Sequence, residues 1–563
     1  MRRTPLRILL WLGFVAFPAC GSAHDGHAPA VNEGVRAEAA IPAPGARLLP
    51  GTGNYRFRIS TRSPLAQRFF DQGLVLAWGF NFAEAERSFR EASRLDPECA
   101  MCAWGIAYSL GPSINHDMSH AAATAALSAV RQALRLARAA GARERALIDA
   151  LARRYEVAPA EDRSALDLAY AGALRKVARR FPDDGDVLTL LADALMVPHG
   201  RDYWRKDGSP EPWTREILAA LERALKIAPD HPGANHFYVH VLEDSPHPGR
   251  ALASAGRLRT IAPGVGHLVH MPSHVYLRLG NYAAALRANE AAVAADRAYL
   301  AAIAADPAYV SGYVEHNHHY LWYAAVMSGH GAAALSAAAE LARSAGSAAA
   351  GGPPSGTRQH FLVLPLYTQV RFGRWQDILA SPRPVAATGY TDGVWHYARG
   401  MAYLRSGRAD RAREELESVS ANLRAAVIDG AEFKHTNRLS TLLDICVELL
   451  RAELAAAQRN DAMAIAHARA ALKVEMGLAA DEPPAWHMPA RHTLGALLLA
   501  ANRAAEAERV FREDLAAHPA NGWALAGLAE SLARQGSARA AEARERFERA
   551  WQGADVAISG SRF

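Results

Sequence analysis

The chain has 563 residues, half of them hydrophobic, and carries a formal charge of +6 from 63 Lys and Arg against 57 Asp and Glu. This length fits several domains of ordinary size or one long repeat array. Three arginines fall within the first seven residues, which we expect to be removed, so the mature excess is three positive charges. That small excess argues against nucleic acid as a partner, and four cysteines are too few for a disulfide scaffold.

Residues 1–23 predict an export signal. A basic start is followed by a short apolar run over 8–17 and then by small residues, and the run is too short to span a bilayer of ~30 Å. The residues before Cys20 resemble a lipobox, so either Cys20 is lipidated and anchors the protein to a membrane, or cleavage follows Ala23. Residues 24–55 are rich in Pro, Ala and Gly and predict a flexible tether. We therefore expect an exported protein, either periplasmic or anchored as a lipoprotein.

A period of 34 residues organises the chain after the tether. Within 65–98, Gly73, Ala85, Phe89, Ala92 and Pro97 fall at repeat positions 8, 20, 24, 27 and 32. This pattern resembles the tetratricopeptide (TPR) repeat, a helix-turn-helix unit in which small residues let two helices approach closely. Further matches lie at Gly280, Ala285 and Ala292, which fall at positions 15, 20 and 27, at Gly400, Gly407 and Ala412, and at Gly495, Ala507, Phe511 and Pro519.

The repeat predicts an all-α fold, a TPR-like solenoid of about ten helical pairs in two halves. A stretch rich in Gly, Ala, Pro and Ser over 344–358 indicates a linker. It would separate an N-terminal solenoid over 56–343 from C-terminal TPR-like repeats over 359–555. Such solenoids commonly bind peptides or protein segments on their concave face, but the fold by itself decides nothing about chemistry.

Two histidine pairs occur at one full repeat interval. His236 and His240 lie four residues apart, as do His270 and His274, and each member of the second pair follows its counterpart by 34 residues. Residues four apart share one face of a helix and can chelate one ion. Both pairs therefore occupy positions 5 and 9 of consecutive repeats, which face the concave groove in the TPR family.

The next unit adds further histidines. Setting Gly329 in register with Gly280 places His316 at position 2 and His319 at position 5 of the following repeat. We therefore predict one pocket in which a cluster of histidines binds a transition metal, copper or zinc. The predicted ligands are His236, His240, His270, His274, His316 and His319. Three more histidines, His231, His267 and His318, are close enough in sequence to bind the metal as well or to support the ligands. Glu243 and Glu315 could orient imidazoles by accepting a hydrogen bond from their second nitrogen.

Several interpretations of this pocket remain open at the level of sequence. Two HxxxH helices with a further histidine each look like the di-copper centre of tyrosinase-type proteins, and they fit a mononuclear site of three histidines equally well. Such a metal could serve oxidation or hydrolysis. The alternatives are a metal-free polar groove that docks a peptide or envelope protein, and histidines retained for packing alone.

Three further features carry weaker signals. Cys99 and Cys102 open a helix and predict a local disulfide, with metal ligation or redox chemistry as the alternatives, while Cys446 lies in an apolar run and is expected to be buried. The loop over 110–117 is expected to cap a helix, with ligand binding by Asn115, His116 and Asp117 as the alternative. The sequence around His487 and His492 is similar to that around His270 and His274, which indicates duplication or a second polar site.

Four blocks together resemble a group of exported bacterial TPR proteins. They are FDQGLVLAWGFNFAEAERSFREASRLDPECAMCAWG, HPGANHFYVHVLE, GHLVHMPSHVYLRLGNY and HNHHYLW. The resemblance implies a solenoid of the cell envelope and carries no settled activity with it. The prediction of a metal site therefore rests on residue spacing alone.

Overall fold

Local capping signals set the starts of many helices. The computed structural model describes residues 45–157, 162–347, 354–384 and 387–563, so the predicted signal over 1–23 and Cys20 lie outside the described residues. The side chain of Ser63 accepts a hydrogen bond from the amide of Ala66 at the start of the first helix, which has Pro64 as its first residue. Asn81 and Asn281 cap later helices in the same way.

The described residues of the first half form fourteen α-helices. They are α1 (Pro64–Trp78), α2 (Phe82–Leu95), α3 (Ala100–Ser109), α4 (His120–Leu136), α5 (Ala142–Leu151), α6 (Ser164–Arg180), α7 (Gly185–Met196), α8 (Thr214–Ile227), α9 (Pro232–Leu242), α10 (Leu252–Ile261), α11 (Gly266–His270), α12 (Pro272–Arg278), α13 (Tyr282–Ala302) and α14 (Pro307–Tyr309). Short 3-10 turns lie at Ala137–Ala139, Ala152–Arg154, Val197–His199 and Pro248–Ala251, and a π-helical turn lies at Val310–Val314.

The second half continues in the same manner. Its helices are α15 (Glu315–Ser328), α16 (Gly331–Ser347), α17 (Gly356–Arg371), α18 (Trp375–Ala380), α19 (Gly389–Arg405), α20 (Ala409–Asp429), α21 (Leu439–Ala457), α22 (Asp461–Glu475), α23 (Ala490–Ala500), α24 (Ala504–Ala517), α25 (Gly522–Arg534) and α26 (Ala540–Ala550). Two antiparallel strands of two residues each, β1 (Glu432–Phe433) and β2 (Asn437–Arg438), form the only sheet in the described part of the chain. The predicted all-α class is confirmed, since successive helices pack in chain order as an α-solenoid.

The packing of the repeat explains its glycines. Phe89 projects from α2 between Gly73 and Gly105, and a Cβ at either glycine would stand 2.6 or 2.3 Å from its ring. Phe511 is enclosed in the same way by Gly495 and Gly527. The repeat positions predicted for Gly73 and Phe89, and for Gly495 and Phe511, therefore correspond to one recurring helix-helix contact.

Residues 46–563 belong to one compact unit with two large apolar clusters. The first cluster runs from Phe57 to Val275 and the second from Tyr282 to Trp523. The second contains Leu341 and Phe361, which lie on opposite sides of the predicted linker over 344–358. The two apolar cores therefore divide near residues 275–282, whereas the helices that flank the predicted linker share one core.

The predicted tether over 24–55 extends too far. From residue 46 onwards the chain is held against the helices. The amide of Leu49 donates to Gln72 at 2.7 Å, and the hydroxyl of Tyr55 donates to Asp186 at 2.5 Å. These buried polar partners were not visible as a sequence pattern, because they belong to helices far along the chain.

The predictions about cysteines are confirmed. Cys99 and Cys102 form a disulfide at the start of α3, with sulfurs 2.11 Å apart, and Cys446 is buried in α21. No described helix is both long enough and apolar enough to cross a membrane.

Candidate metal centre

Three helical segments bring the histidines together. The side chain of His231 accepts a hydrogen bond from the amide of Ala234, and Pro232 then opens α9, which presents His236 and His240. His267 and His270 lie on α11, and His274 follows one turn later on α12. α15 supplies His316 to the same place.

We call His236, His240 and His267 the first histidine set. One nitrogen from each ring lies within 4.8 Å of one from each of the others, and all three side chains are buried. Nδ1 of His236 lies 2.5 Å from the carbonyl oxygen of Trp78. Because a carbonyl oxygen only accepts, Nδ1 carries the proton and Nε2 keeps its lone pair.

The remaining nitrogens of this set have no hydrogen-bond partner among the described residues. They are Nε2 of His236, Nε2 of His240 and both ring nitrogens of His267. A buried polar atom without a partner costs ~1–3 kcal/mol, so four such atoms on three neighbouring rings make a purely apolar role for these rings unfavourable. Three imidazole lone pairs within 4.8 Å of one another are the donor set of a three-histidine metal site.

We call His270, His274 and His316 the second histidine set. One nitrogen of each ring again lies within 4.8 Å of the others. Nδ1 of His270 donates to the amide oxygen of Asn289 at 2.6 Å, and Nε2 of His270 lies 2.8 Å from Nε2 of His274. The two sets adjoin each other, since the rings of His267 and His270 are 5.7 Å apart between centroids.

Glu243 connects the two sets. Its Oε1 accepts from Nδ1 of His240 at 2.9 Å, and its Oε2 lies 2.5 Å from Nδ1 of His274. The carboxylate therefore orients His240 of the first set through a hydrogen bond and lies beside His274 of the second as an ion pair. Burial opposes ionisation of Glu243, but both histidines hold the pKa of this carboxyl well below its ordinary range.

Phe80 packs over the first set. Its ring centroid lies 4.6 Å from that of His236, 5.8 Å from that of His240 and 5.2 Å from that of His267. Phe80 has a φ of 58°, a strained conformation for a bulky residue. It lies just after α1, so the turn between α1 and α2 places this ring against the histidines. The role of Phe80 was not predicted, because the spacing of side-chain types in a sequence does not reveal the backbone angle of one residue.

Electrostatics keep most of these imidazoles neutral. Burial lowers the pKa of His236, His267 and His270 well below the ordinary range, and neighbouring imidazoles lower it further. The pKa of His316 is lowered in the same way. Burial also opposes the charged form of His274, yet Glu243 and Glu482 raise its pKa. Neutral imidazole is the form that binds metal.

The structure brings five of the six predicted ligands together and places His319 elsewhere. The ring of His319 stacks on Trp322 at 5.5 Å and lies 5.3 Å from Phe361. Residues three apart on a helix differ by ~60° around its axis, so His316 faces the centre while His319 faces α17. His267 takes the sixth place. The GHLVH spacing puts His267 one turn before His270, but the repeat register was defined by the HxxxH pairs alone.

A cavity of about 1310 Å³ opens beside the centre. His267, His274 and His316 line it, so both sets reach it. Aromatic side chains form much of its wall, namely Phe80, Phe82, Tyr282, Tyr309, Tyr313, Tyr320, Tyr323, Phe361 and Trp486. The loop over 110–117, for which the sequence favoured a helix cap over a binding loop, contributes Asn115 and His116 to this wall.

The loop between α22 and α23 closes one side of the cavity. Glu482 forms an ion pair with Arg201 and lies 3.5 Å from Nδ1 of His274. Lys434 lies 3.3 Å from Asp481 and donates to the carbonyl oxygen of Glu482 at 2.5 Å. The segments around 434 and 481–482 thus supply charged groups to a centre whose histidines lie between residues 236 and 316.

The similar segment around His487 and His492 does not form a third histidine set among the described residues. His492 lies 3.1 Å from Asp514 in a buried polar network, and the ring of His487 packs 5.0 Å from that of Trp322. His487 and His492 are absent from the groups of close ligand atoms found among the described residues.

Comparisons with known proteins bear on the chain only weakly. No protein-family profile matches it, and no curated protein sequence matches it. Similar solved structures include the human IFIT1 dimer with m7Gppp-AAAA, at 14% identity over 88% of this chain and 92% of that one, with a TM-score of 0.29.

Two further solved structures are similar to the same degree. Yeast Tom70 is 10% identical over 84% of this chain and 88% of that one, with a TM-score of 0.27. The TPR domain of P58(IPK) is 11% identical over 87% of this chain and 99% of that one, with a TM-score of 0.21. The assignment of TPR-like repeats therefore stands on the recurring helix-helix contacts of Phe89 and Phe511.

Proposed function

We propose that this chain is an exported envelope protein that binds copper or zinc through its two histidine sets, one ion in each. The observation that carries the proposal is that each buried ring of the first set offers one nitrogen without a hydrogen-bond partner among the described residues, and that these three nitrogens lie within 4.8 Å of one another. Imidazole nitrogens bind such ions at ~2 Å. The second set and the bridging carboxylate of Glu243 support a second ion nearby.

The cavity favours a metal that acts on a bound molecule. Three histidines leave at least one position of a four-coordinate ion for water or a substrate. His267, His274 and His316 border the cavity, so that position is accessible from it. Bound metal would polarise or activate whatever occupies the position, and the aromatic wall, with Arg201, Lys434 and Glu482, would bind and orient the rest of the molecule.

The test is elemental analysis of the mature protein, purified without a histidine tag, beside the double variant His270→Ala/His274→Ala. We expect about two equivalents of copper or zinc in the wild type and about one in the variant, because the first set keeps its three ligands. Retention of both ions in the variant would contradict the second site. No bound metal after reconstitution with either ion would contradict the whole proposal.

A second candidate is a scaffold that docks a peptide or an envelope protein in the same cavity. The size and aromatic lining of the cavity favour this function, since its volume exceeds the ~300–1,000 Å³ typical of small-molecule sites. Pull-down from envelope extracts distinguishes the candidates. A partner that binds the metal-free protein and the double variant as well as it binds the wild type would favour the scaffold.

A further inference from the structure

A second and much smaller cavity lies among helices of the C-terminal half. Its volume is about 20 Å³, room for a single water-sized particle. α17 contributes Arg371 to its wall, α19 contributes Tyr397 and Arg405, and α21 contributes Glu453. Arg562, near the end of the described chain, completes this group. We call these five residues the arginine pocket.

Several donors of the arginine pocket have no partner among the described residues. They are Nε and Nη1 of Arg371, Nε of Arg562 and the hydroxyl of Tyr397. Arg371 is 2% exposed and Tyr397 is fully buried. A buried donor left without an acceptor is costly, and more so when it is charged. The wall also contains one acceptor without a hydrogen-bond partner, Oε1 of Glu453, which lies 2.5 Å from Nη1 of Arg562. The donors outnumber it, so the cavity requires a further acceptor.

The pocket also carries more positive than negative charge. Glu453 pairs with Arg405 at 3.0 Å and with Arg562 at 2.5 Å, so this one carboxylate side chain serves two guanidinium groups. Arg371 instead packs 3.6 Å from the ring centroid of Trp523 and donates to Nδ1 of His492 at 3.1 Å. Its charge lacks a carboxylate in direct contact among the described residues.

Electrostatics are consistent with an uncompensated charge. Burial lowers the pKa of Arg371 to about 9, although Asp514 raises it from the far side of His492. Burial also lowers the pKa of Arg562. An anion between these groups would restore the stability of their charged forms.

We propose that the arginine pocket binds a monatomic anion of the halide class, with chloride as the natural occupant. Positive charge and several unpartnered N–H and O–H donors around one cavity favour an anion over water. The volume admits one such ion and excludes phosphate or sulfate. Bound there, the ion would tie α17, α19 and α21 to the segment that carries Arg562.

The direct test is a crystal structure of the mature protein grown in sodium bromide, with data collected at the bromine absorption edge. The proposal predicts an anomalous peak between Arg371 and Tyr397. A water or no density at this position would overturn it.

A solution measurement tests whether binding occurs outside crystals. The Tm is compared in sodium chloride and sodium gluconate at equal ionic strength, so that general screening cancels. Chloride should raise the Tm of the wild type by about 2 °C or more, and Tyr397→Phe should lose at least half of that rise. The Tyr397→Phe variant removes one donor and leaves the charges in place, so it tests the site even where Arg371→Met does not fold.

Arg411→Gln serves as the matched control, because Arg411 pairs with Glu414 on the exposed face of α20. This variant should keep the full rise in Tm. An equal rise in the wild type and in Tyr397→Phe would overturn the proposal. Bromide density without any rise in Tm would mean binding at crystal concentration only, and would overturn it as well.

Discussion

The Nε2 atoms of His270 and His274 face each other at 2.8 Å. Nδ1 of His270 donates to Asn289, and Nδ1 of His274 lies 2.5 Å from the carboxylate of Glu243. A protonated His274, the form that its raised pKa favours, donates from Nε2 to the lone pair on Nε2 of His270. A metal ion bound by both nitrogens would replace this proton. With metal–nitrogen bonds of ~2 Å, a single ion can bind both nitrogens at this spacing. The contact is thus understandable as one edge of a metal site.

His267 and His319 provide a direct test of which residues bind metal. His267→Ala removes a member of the first set and should lower the metal content by about one equivalent. His319→Ala should leave the metal content unchanged, because His319 packs against Trp322 and Phe361. Elemental analysis of both variants, with circular dichroism to show that each is folded, makes the comparison. Loss of metal in His319→Ala alone would contradict the assignment of both sets.

The positions of His267 and His319 show which parts of the site could be predicted from the sequence. The 34-residue interval predicted that His236, His240, His270 and His274 lie together, because both the helix period and the repeat length can be derived from a single sequence. The sequence did not show which face of α15 points to the histidine centre. The π-helical turn at Val310–Val314 precedes this helix and shifts its register relative to the earlier repeats.

Contacts distant in sequence were also beyond prediction. Arg201 and Glu482 are paired across 281 residues, and Phe80 owes its position to a backbone angle. Neither the distant ion pair nor the backbone angle produces a periodic pattern in the sequence. The repeat itself was predictable because the contacts that define it, such as Phe89 with Gly73, lie within one helical pair.

Glu243 should control metal affinity without binding metal itself. Glu243→Gln keeps the shape of the side chain but removes the charge that accepts from Nδ1 of His240 and lies 2.5 Å from Nδ1 of His274. Substitution of such a carboxylate behind a ligand typically weakens metal binding about 10–100-fold. We expect that loss in a competition titration with a chromophoric chelator.

Glu340→Gln is the control for this experiment, since Glu340 pairs with Arg343 on the surface of α16. Its affinity should equal that of the wild type. Equal affinities in all three proteins would show that Glu243 does not orient the ligands.

Two glycines should respond to alanine in opposite directions. A Cβ at Gly527 would stand 2.2 Å from the ring of Phe511, which is fully buried and enclosed on its other side by Gly495. Gly527→Ala should therefore destabilise the protein by ~1–3 kcal/mol. Gly172 lies inside α6 with open space around it among the described residues. Gly172→Ala should stabilise by ~0.5–1 kcal/mol because alanine is the better helix former. Urea unfolding measures both, and a destabilised Gly172→Ala would contradict the packing of α6.

Asp71 should make stability depend on pH near neutrality. Burial raises the pKa of Asp71 to about 7, although hydrogen bonds from Phe57 and Gln67 oppose this. The folded protein therefore holds a proton on Asp71 between pH ~4 and ~7 that the unfolded chain has released. Stability contributed by this group is fully present below about pH 4 and is lost as the pH rises to about 7.

Asp71→Asn removes the titrating group and mimics the protonated form. It should match the wild type near pH 4 and exceed it in free energy of unfolding near pH 8, as measured by urea titration across this range. Asp183→Asn, at a side chain that is 82% exposed, should differ from the wild type by a constant amount at every pH above 5. A difference between wild type and Asp71→Asn that stays flat from pH 4 to 8 would show that Asp71 is ionised in the folded protein throughout, and that the segment before α1 docks without the proton that burial is expected to retain.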